Sequence, residues 1–296
     1  AAFPGVWTSN HTLSGVAYVH VRLTFNQDIF SRVPVITADV EGRTLFDPRT
    51  NNTAFSRNPA LCVRDYLTNP RYGKGLPSAQ VDVTAAANHC DDVVALYAGG
   101  PVDSLRYTCN GVLDTSKRIA DNVRRLTAAC NGTVTYSGGV YRLKIDQVES
   151  AEMDFNTDNI LGSWSIASTG NNTLLNRINI SFDNPDKNWQ EDSVVYDDAT
   201  LRSTQDNGAL LEASLSLPFT SNLYRAQRLA QLQLLKSRLK LRVAFTASLA
   251  ALRVDVGAVV SVTHPTPAWT AKLFRVVKLD LLPTGNIGVA LEEYSA

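Results

Sequence analysis

Histidine is the first side chain to examine for acid–base chemistry, because its ordinary pKa lies near neutral pH. The chain has four, at His11, His20, His89 and His264. None stands in a catalytic motif: the chain contains no Gly-x-Ser-x-Gly, His-Glu-x-x-His or Gly-x-x-x-x-Gly-Lys-Ser/Thr pattern. A structural role is therefore favoured for each histidine, and hydrolase, zinc-protease and P-loop classes lack their motifs.

Carboxylates are the second candidates, and they occur as three adjacent pairs and one cluster. The pairs are Asp91-Asp92, Asp197-Asp198 and Glu292-Glu293, and the cluster is Asp183, Asp186, Glu191 and Asp192. Adjacent residues of a strand point to opposite faces, which does not suit two carboxyls sharing a proton. The cluster lacks the glycine of an EF-hand loop. Glycosidase chemistry needs only two carboxylates, but nothing selects a pair. The sequence therefore predicts no catalytic residue, no cofactor and no metal ligand.

Cysteine chemistry is the third possibility, with thiols at Cys62, Cys90, Cys109 and Cys130. There is no Cys-x-x-Cys, so the spacing does not fit zinc. Free thiols are favoured over the two disulfides of a secreted protein, because this cysteine content is near average. If a disulfide formed, Cys90–Cys109 would be the first pairing to test.

Composition limits the classes of function further. The 296 residues are 44% hydrophobic and 19% charged, as in a globular protein. Lys plus Arg and Asp plus Glu both total 28, so net charge gives no signal for nucleic acid or anionic lipid. No run of eighteen apolar residues predicts a membrane span. The start at Ala1, without Met or a leader-like pattern, predicts a fragment or processed form of a longer protein.

Hydrophobic periodicity predicts an α+β, β-rich chain in three segments. Residues 1–56 form a β-rich segment, with strands expected over Gly15–Phe25 and Val35–Val40. Residues 57–150 form an α+β domain, with helices at 59–68, 79–96 and 115–130 and a hairpin of 133–136 with 140–145. Residues 151–296 form a barrel-like domain, or a sandwich, with one helix, 223–237, as a plug or strut.

The strands expected in the third segment are short and number eight. They are Ile160–Ser168, Arg177–Asp183, Ser193–Asp197, Leu210–Leu217, Arg238–Ala247, Leu252–Thr263, Ala271–Leu282 and Ile287–Leu291.

The helix at 223–237 has two apolar stripes. One contains Leu223, Ala226, Ala230 and Leu234, and a smaller one on the far side contains Leu232 and Leu235. A helix that is apolar on two sides is often packed between two surfaces. The sequence leaves two interpretations open: a single barrel core with stray leucines, or a second surface supplied by a neighbouring subunit.

Three groups of segments together resemble the tail-tip proteins of long-tailed phages, the host-specificity protein J family. The first comprises 15–25, 45–50 and the most specific stretch, Ser56–Gly75. The second comprises Ala86–Asp92, Tyr107–Gly111 and Tyr136–Tyr141. The third comprises Asn176–Asp186, Arg225–Ala230 and 256–262 through Tyr294. One position departs from the family: Gly257-Ala258 stands where Gly-Asp is usual before a barrel strand.

The resemblance implies a structural protein, not an enzyme: the hub portion of a tail tip that closes the distal end of the tail tube. It implies a homotrimer that contacts other tail proteins, such as the distal tail, tape-measure and neighbouring hub proteins. A host receptor would bind through regions outside this chain, and DNA would pass through the lumen without specific binding. The location implied is the virion, after assembly in the bacterial cytoplasm, where thiols stay reduced.

Two other classes fit the same composition. A secreted carbohydrate-binding β-sandwich would use Trp164, Trp189 and Trp269 as stacking platforms. A glycan-degrading enzyme would need a cleft with two facing carboxylates. A trimer with buried tryptophans would favour the tail hub, whereas a monomer with exposed tryptophans would favour the lectin.

Overall fold

The computed structural model describes residues 8, 10–12, 18–24, 26, 28, 32, 34–168, 170 and 174–295. The chain forms two units, Ala1–Glu41 and Gly42–Ala296. In the first unit, residues 18–24 and 34–41 carry no strand, so the strands predicted there are not found; positions 15–17 and 25 lie outside the described residues. An alternating pattern becomes a strand only when another strand satisfies its backbone hydrogen bonds, and these residues have no such ladder.

The first half of the larger unit alternates short strands and helices. Its strands are β1 (Thr44–Asp47), β2 (Asn52–Phe55), β3 (Val81–Asp82), β4 (Val93–Ala95), β5 (Val102–Leu105), β6 (Gly132–Ser137) and β7 (Val140–Ile145). Its helices are α1 (Pro59–Thr68), α2 (Thr84–Asp91) and α3 (Ile119–Ala128). The predicted helix at 59–68 and the predicted hairpin, now β6–β7, are confirmed.

Helix α1 begins at an N-cap asparagine that is followed by a proline. The Asn58 side chain accepts hydrogen bonds from the backbone N–H groups of Ala60 and Leu61, and Pro59 occupies the first turn. The Asn58 amide also donates to the carbonyl of Ala87 at 2.9 Å. One residue therefore caps α1 and ties it to α2.

The helix predicted over 79–96 is wrong in length. A 3₁₀ turn at Ser78–Gln80 leads into β3, which pairs in parallel with β7, and only Thr84–Asp91 is α-helical. Val81 and Val83 are both buried, and β-branched side chains suit a strand there. Beyond Asp91 the chain extends into β4, which pairs with β5. Tertiary pairing has overridden a helical pattern.

The helix predicted over 115–130 is shorter at both ends. Asp114 accepts from the Ser116 N–H at 3.0 Å and so forms a turn, and α3 begins only at Ile119. At the other end α3 stops at Ala128, and Asn131, three residues later, has a left-handed φ of 50°. Leu126 and Cys130 are buried, whereas Ile119, the first residue of α3, is 38% exposed.

The second half of the larger unit is mostly strand. Its strands are β8 (Asp154–Phe155), β9 (Ile160–Ser168), β10 (Arg177–Asn184), β11 (Gln190–Asp197), β12 (Glu212–Leu217), β13 (Leu241–Ala247), β14 (Val259–His264), β15 (Trp269–Leu281) and β16 (Ile287–Glu293). Its helices are α4 (Ala199–Thr204) and α5 (Leu223–Ser237). The eight predicted strand positions are occupied, but a 3₁₀ helix, Leu249–Arg253, replaces the start of the predicted 252–263 strand.

The sequence suggested that these strands form one domain, but they divide into two separate sheets. Strands β11, β10 and β12 make a three-stranded sheet in that order, in which β12 is parallel to β10. The other six form a separate sheet in the order β8-β14-β15-β16-β13-β9. Helix α5 packs on β10 and β11, so it does not plug the six-stranded sheet.

The six-stranded sheet curls into a barrel-like shape. Its two edges, β8 and β9, are joined by only the four residues between Phe155 and Ile160. In a flat sheet those edges would stand about 24 Å apart, whereas five peptide links reach at most about 17 Å. Trp164 on β9 also stacks on His264 of β14, with ring centroids 4.2 Å apart. The sheet therefore curves until its edges approach each other.

Two hydrophobic cores result, and they do not follow the expected boundary at 150/151. The mixed core contains buried residues of α1–α3 and the β6–β7 hairpin together with β10, β12 and α5. The barrel core contains residues of the six-stranded sheet and of the Leu249–Val254 turn, such as Phe155, Val260 and Phe274. Residues from both sides of the predicted boundary thus share the mixed core.

The Gly257-Ala258 turn shows why alanine is acceptable before β14. Gly257 has a φ of 90°, which favours glycine, and its N–H donates to the carbonyl of Val276 at 2.8 Å. The N–H of Ala258 donates to the carbonyl of Asp255, and its methyl group is buried. The Arg275 side chain also donates to the carbonyl of Gly257 at 2.7 Å, so the turn is held without an aspartate at position 258.

Candidate assembly surfaces

The four histidines are dispersed and serve local roles. His11 contacts Thr8, with Nδ1 3.0 Å from the threonine oxygen, and His20 is exposed. His89 lies 3.1 Å from Asp92, and burial, reinforced by Arg106, lowers its pKa. His264 stacks on Trp164 in the barrel core. The structure brings none of these four to another.

The six paired carboxylates are engaged in salt bridges or a helix cap. Asp91 pairs with Arg49 at 2.7 Å, and Asp92 pairs with Arg106 at 3.3 Å. Asp197 pairs with Arg202 at 3.2 Å, while Asp198 caps α4. Glu292 pairs with Arg242 at 3.3 Å, and Glu293 pairs with Lys272 at 2.7 Å. In the 183–192 cluster, hydrogen bonds from Lys187 and Asn184 lower the pKa of Asp192 to about 2. Burial raises the pKa of Asp183, and the neighbouring Glu191 adds to that. Asp183 and Glu191 face each other across β10 and β11, whereas the salt bridges and the Asp198 cap hold strands and turns in place.

A metal centre would need several ligands on one side of a cavity. Across the described ranges, no group of three or more His, Cys, Asp or Glu side chains is arranged to hold an ion. In the same residues, no helix is long and apolar enough to cross a bilayer.

Two of the three candidate stacking tryptophans are used in packing. Trp164 and Trp269 meet edge-to-face with centroids 5.7 Å apart and lie partly buried on the barrel core. Trp269 also lies 5.2 Å from Phe274. Trp189, in the turn between β10 and β11, is 45% exposed.

Helix α5 lies between two surfaces, and both belong to this chain. One is the β10–β11 face. Toward the 57–150 region, Arg225 donates to the carbonyl of Leu105 at 2.7 Å and Gln233 donates to Asn131 at 2.8 Å. Lys236 pairs with Asp146 at 3.0 Å. These contacts cover a second side of α5 within this chain, whereas Leu235 of the smaller apolar stripe stays exposed. The first stripe is buried at Ala226, Ala230 and Leu234.

The larger unit exposes a group of apolar side chains that we call the hairpin patch. It comprises Val93, Tyr97, Val102 and Leu105 of the β4–β5 hairpin with Leu223 and Tyr224 at the start of α5, each 37–69% exposed. Tyr97 and Tyr224 stack with centroids 4.6 Å apart, and the Arg225–Leu105 bond holds the hairpin against α5. Sequence reasoning missed this patch, because the hairpin lay inside or beyond the predicted 79–96 helix.

Further unpaired surfaces lie at sheet edges and in the first unit. Strands β11 and β12 are the edges of the three-stranded sheet, and β9 is an edge of the barrel-like sheet. On the far side of α5, Leu235 is 49% exposed. The first unit exposes a series of aliphatic and aromatic side chains, 43–88% accessible: Tyr18, Val19, Val21, Leu23, Val35, Ile36 and Val40. Exposed apolar surface of this kind is typical of proteins that assemble.

Comparison with known proteins finds similar sequences among phage tail proteins. The chain is 24% identical over 312 aligned residues to the baseplate hub protein pb3 of Escherichia phage T5, covering 98% of this chain and 33% of that protein. It is 26% identical over 161 residues to the tip attachment protein J of Escherichia phage SECphi27, covering 52% of this chain and 13% of that protein. The chain thus spans a third or less of the length of these relatives.

A solved structure shares the fold. A chain in the virion of a native gene transfer agent particle superposes with a TM-score of 0.50 at 14% identity, covering 65% of this chain and 42% of that chain. The resemblance to phage tail-tip proteins, the β-rich fold and the virion-tail location expected from the sequence are confirmed by these relatives.

The family assignment rests on one continuous match. Residues 118–279 match the family described as putative phage tail protein. This range runs from α3 through most of β15 and includes parts of both cores. Because the match covers more than half of the chain, the protein belongs to the putative phage tail protein family.

Proposed function

We propose that this chain is the hub portion of a phage tail tip, which closes the distal end of the tail tube and connects it to host-recognition parts. The observation that carries the proposal is the alignment of 98% of the chain with a baseplate hub protein. A structural role also agrees with the site survey: the histidines are dispersed, and the paired carboxylates are in salt bridges or caps. We therefore propose a non-enzymatic protein.

The subunit arrangement we propose is a homotrimer around a lumen. A closed three-fold ring is heterologous, so each subunit must present two different complementary surfaces. The hairpin patch is our candidate for one of them, because its aromatic pair and aliphatic side chains form a continuous exposed surface on a rigid hairpin. The partners above and below the ring would be the distal tail, tape-measure and neighbouring hub proteins, with the receptor bound by other parts of the full-length protein.

The direct test is electron microscopy of intact particles that carry an affinity tag on this chain. Three copies at the distal end of the tube would support the hub proposal. Two copies, a single copy, or a location along the tube or in the head would overturn it.

A paired-variant experiment tests the hairpin patch separately. Val102→Glu places a charge within the patch, whereas Val112→Glu alters a valine that is 85% exposed and lies outside it. We expect Val102→Glu to raise, by about tenfold or more, the protein concentration at which light scattering shows the mass of the trimer. Val112→Glu should match the unmodified chain. Equal behaviour of the two variants would remove the hairpin patch from the interface.

A further inference from the structure

One end of the three-stranded sheet presents two facing carboxylates on the side away from the mixed core. Ile180 and Phe182 of β10 are buried in that core, so the next residue, Asp183, points to the other face. Glu191 of β11 stands directly opposite Asp183 in the antiparallel register. Burial, with the charge of Glu191, raises the pKa of Asp183. Like charges directly opposite on two strands repel each other, which disfavours the pairing unless a cation neutralises them.

The chain itself provides little positive charge at this end of the sheet, which we call the acidic end. It comprises Asp183, Asp186, Glu191 and Asp192. Among the residues that the structure describes, one base pairs with it: Lys187, whose Nζ lies 2.8 Å from Asp192. At the far end of the same strands, by contrast, Arg177 lies 3.9 Å from Asp197 and 3.7 Å from Glu212. The acidic end therefore keeps an excess of negative charge.

The complementary charge lies next to the hairpin patch, in what we call the arginine group. It comprises Arg57, Arg106, Arg225 and Arg228. Arg225 donates to the carbonyl of Leu105 at 2.7 Å, and the carbonyl of Arg57 accepts from the N–H of Cys109 at 2.7 Å. Arg228 follows Arg225 by three residues on α5 and lies on the same side of the helix. Contacts with one short segment, 105–109, thus gather these arginines.

These arginines have few carboxylate partners. Arg106 lies 3.3 Å from Asp92, whereas Arg57, Arg225 and Arg228 form no salt bridge within the described part of the chain. Arg57 is exposed, and the other two are half-buried. A guanidinium group forms its strongest hydrogen bonds with a carboxylate, so these side chains suit an acidic partner.

One copy of the chain cannot bring its two charged surfaces together. Helix α5, which carries Arg225 and Arg228, packs on the core side of β10 and β11. Asp183 and Glu191 point from the opposite side of the same strands. A contact between the arginine group and the acidic end therefore requires two copies.

We propose that the arginine group and hairpin patch of one copy dock on the acidic end of the next copy, an inference that rests on the ring proposed above. Val195 of β11 lies on the same face as Glu191 and is 49% exposed, so it offers an apolar contact to Tyr97 and Tyr224 of the hairpin patch. Each copy carries both surfaces on different sides. The contact thus repeats head to tail, as a closed three-fold ring requires.

Charge reversal tests this contact by light scattering of the chain over a range of concentrations. We expect Arg57→Glu/Arg228→Glu and, separately, Asp186→Lys/Glu191→Lys to raise the concentration at which trimer mass appears by about tenfold or more, because like charges then meet. The chain with all four substitutions should regain the trimer. The control Arg242→Glu/Lys278→Glu makes the same change in net charge at exposed side chains of the six-stranded sheet, and it should match the unmodified chain.

A mixture of the two reversed chains tests three-fold closure. Favourable contacts then form only between unlike chains, so any ring of three contains one contact between like charges. We expect the mixture to form pairs and less trimer than the chain with all four substitutions. Equal amounts of trimer in the two samples would overturn the head-to-tail contact.

The Tm of each variant separates loss of docking from loss of the fold. Glu191→Lys places a cation opposite Asp183, so the acid-side variant should keep its Tm, and it decides the test alone if the arginine variant unfolds. Unchanged association of the acid-side variant, failure of the four substitutions to restore the trimer, or an unmodified chain that stays monomeric at every concentration would overturn the docking. Microscopy showing three copies at the tube end would still leave the hub proposal standing.

Discussion

The mixed core and the barrel core are held together in different ways. The mixed core brings together helices, loops and a small sheet that are far apart in sequence, and it contains the buried amides of Asn58, Asn122 and Asn176. The barrel core is enclosed by strands that are paired along most of their length. Its buried Ser261 donates to Asp154 at 2.7 Å. Where strand ladders are scarce, buried side-chain amides bind the backbone groups that would otherwise lack partners.

The side-chain amide of Asn176 makes three hydrogen bonds. Its Nδ2 donates to Asp206 and to the carbonyl of Ala209, both at 2.8 Å, and its Oδ1 accepts from the N–H of Leu211 at 3.0 Å. These bonds fix the chain between α4 and β12 and so set the start of the parallel β10–β12 pairing. The comparison predicts that apolar truncation is the most damaging change in the barrel core, and that loss of an amide is the most damaging in the mixed core.

The largest effect is expected for Phe155→Ala. Phe155 is fully buried where β8 and β9 meet, and its ring lies 5.1 Å from that of Phe245. Removing it should lower the free energy of unfolding by about 3–5 kcal/mol through lost burial and the cavity left behind. Denaturant titration measures this, and Phe55→Ala, at a ring that is 37% exposed, should cost much less.

Hydrogen exchange of Phe155→Ala then tests whether the two cores are distinct. Amides of β13–β16 should exchange faster than in the unmodified chain, with α1 and α2 little changed. Equal acceleration in both regions would mean that the cores open as one cooperative unit, and the distinction between them would fail.

Asn176→Ala should come next, at about 2–4 kcal/mol. The change leaves the N–H of Leu211 and the carbonyl of Ala209 without this partner in a buried site. Asn179→Ala alters a partly exposed amide in β10, three residues later, and should cost about 0.5 kcal/mol or less. If the two variants unfold at the same denaturant concentration, buried amides are not what stabilises the mixed core.

Acid should weaken the mixed core through Asp206. The side chain is 4% exposed, Arg238 lies 2.7 Å away, and hydrogen bonds from Arg238 lower the pKa of Asp206 from 3.8 to about 2. A depressed carboxyl pKa stabilises the fold above pH 3.8, and that contribution is lost as pH falls through 2. Between pH 4 and 2 we expect Asp206→Asn to lose less stability than the unmodified chain.

The comparison for this acid effect is Asp158→Asn, at an exposed carboxyl in the turn before β9. Its unfolding curves should keep the pH dependence of the unmodified chain. Parallel pH profiles for Asp206→Asn and the unmodified chain would show that the Arg238 pair contributes no acid sensitivity.

The smallest effect on folding is expected for Leu235→Ser. Leu235 is already 49% exposed, so the change should alter the free energy of unfolding by about 0.5 kcal/mol or less. Leu234→Ser, one residue earlier, places a hydroxyl in the mixed core and should cost about 3 kcal/mol or more. Similar costs for the two would mean that α5 is buried all round.

The sequence alone determined the elements whose signals are local. Asn58-Pro59 placed the start of α1, the Ser137-Gly138-Gly139 turn placed the β6–β7 hairpin, and apolar spacing gave α5 its observed limits. Alternation located the later strands, and the resemblance of several segments gave the family. Caps, turns and periodicity act over a few residues, so they can be read without knowing the fold.

Only the tertiary structure decided which strands share a sheet, what packs against α5, and which aromatic rings meet. Val81 joins β3 instead of a helix because β7 offers it a partner 60 residues later. Trp164 and His264 meet because the sheet curls. Periodicity tells which side of an element is buried. The choice of partner depends on contacts between distant residues, whose free energy no local pattern contains.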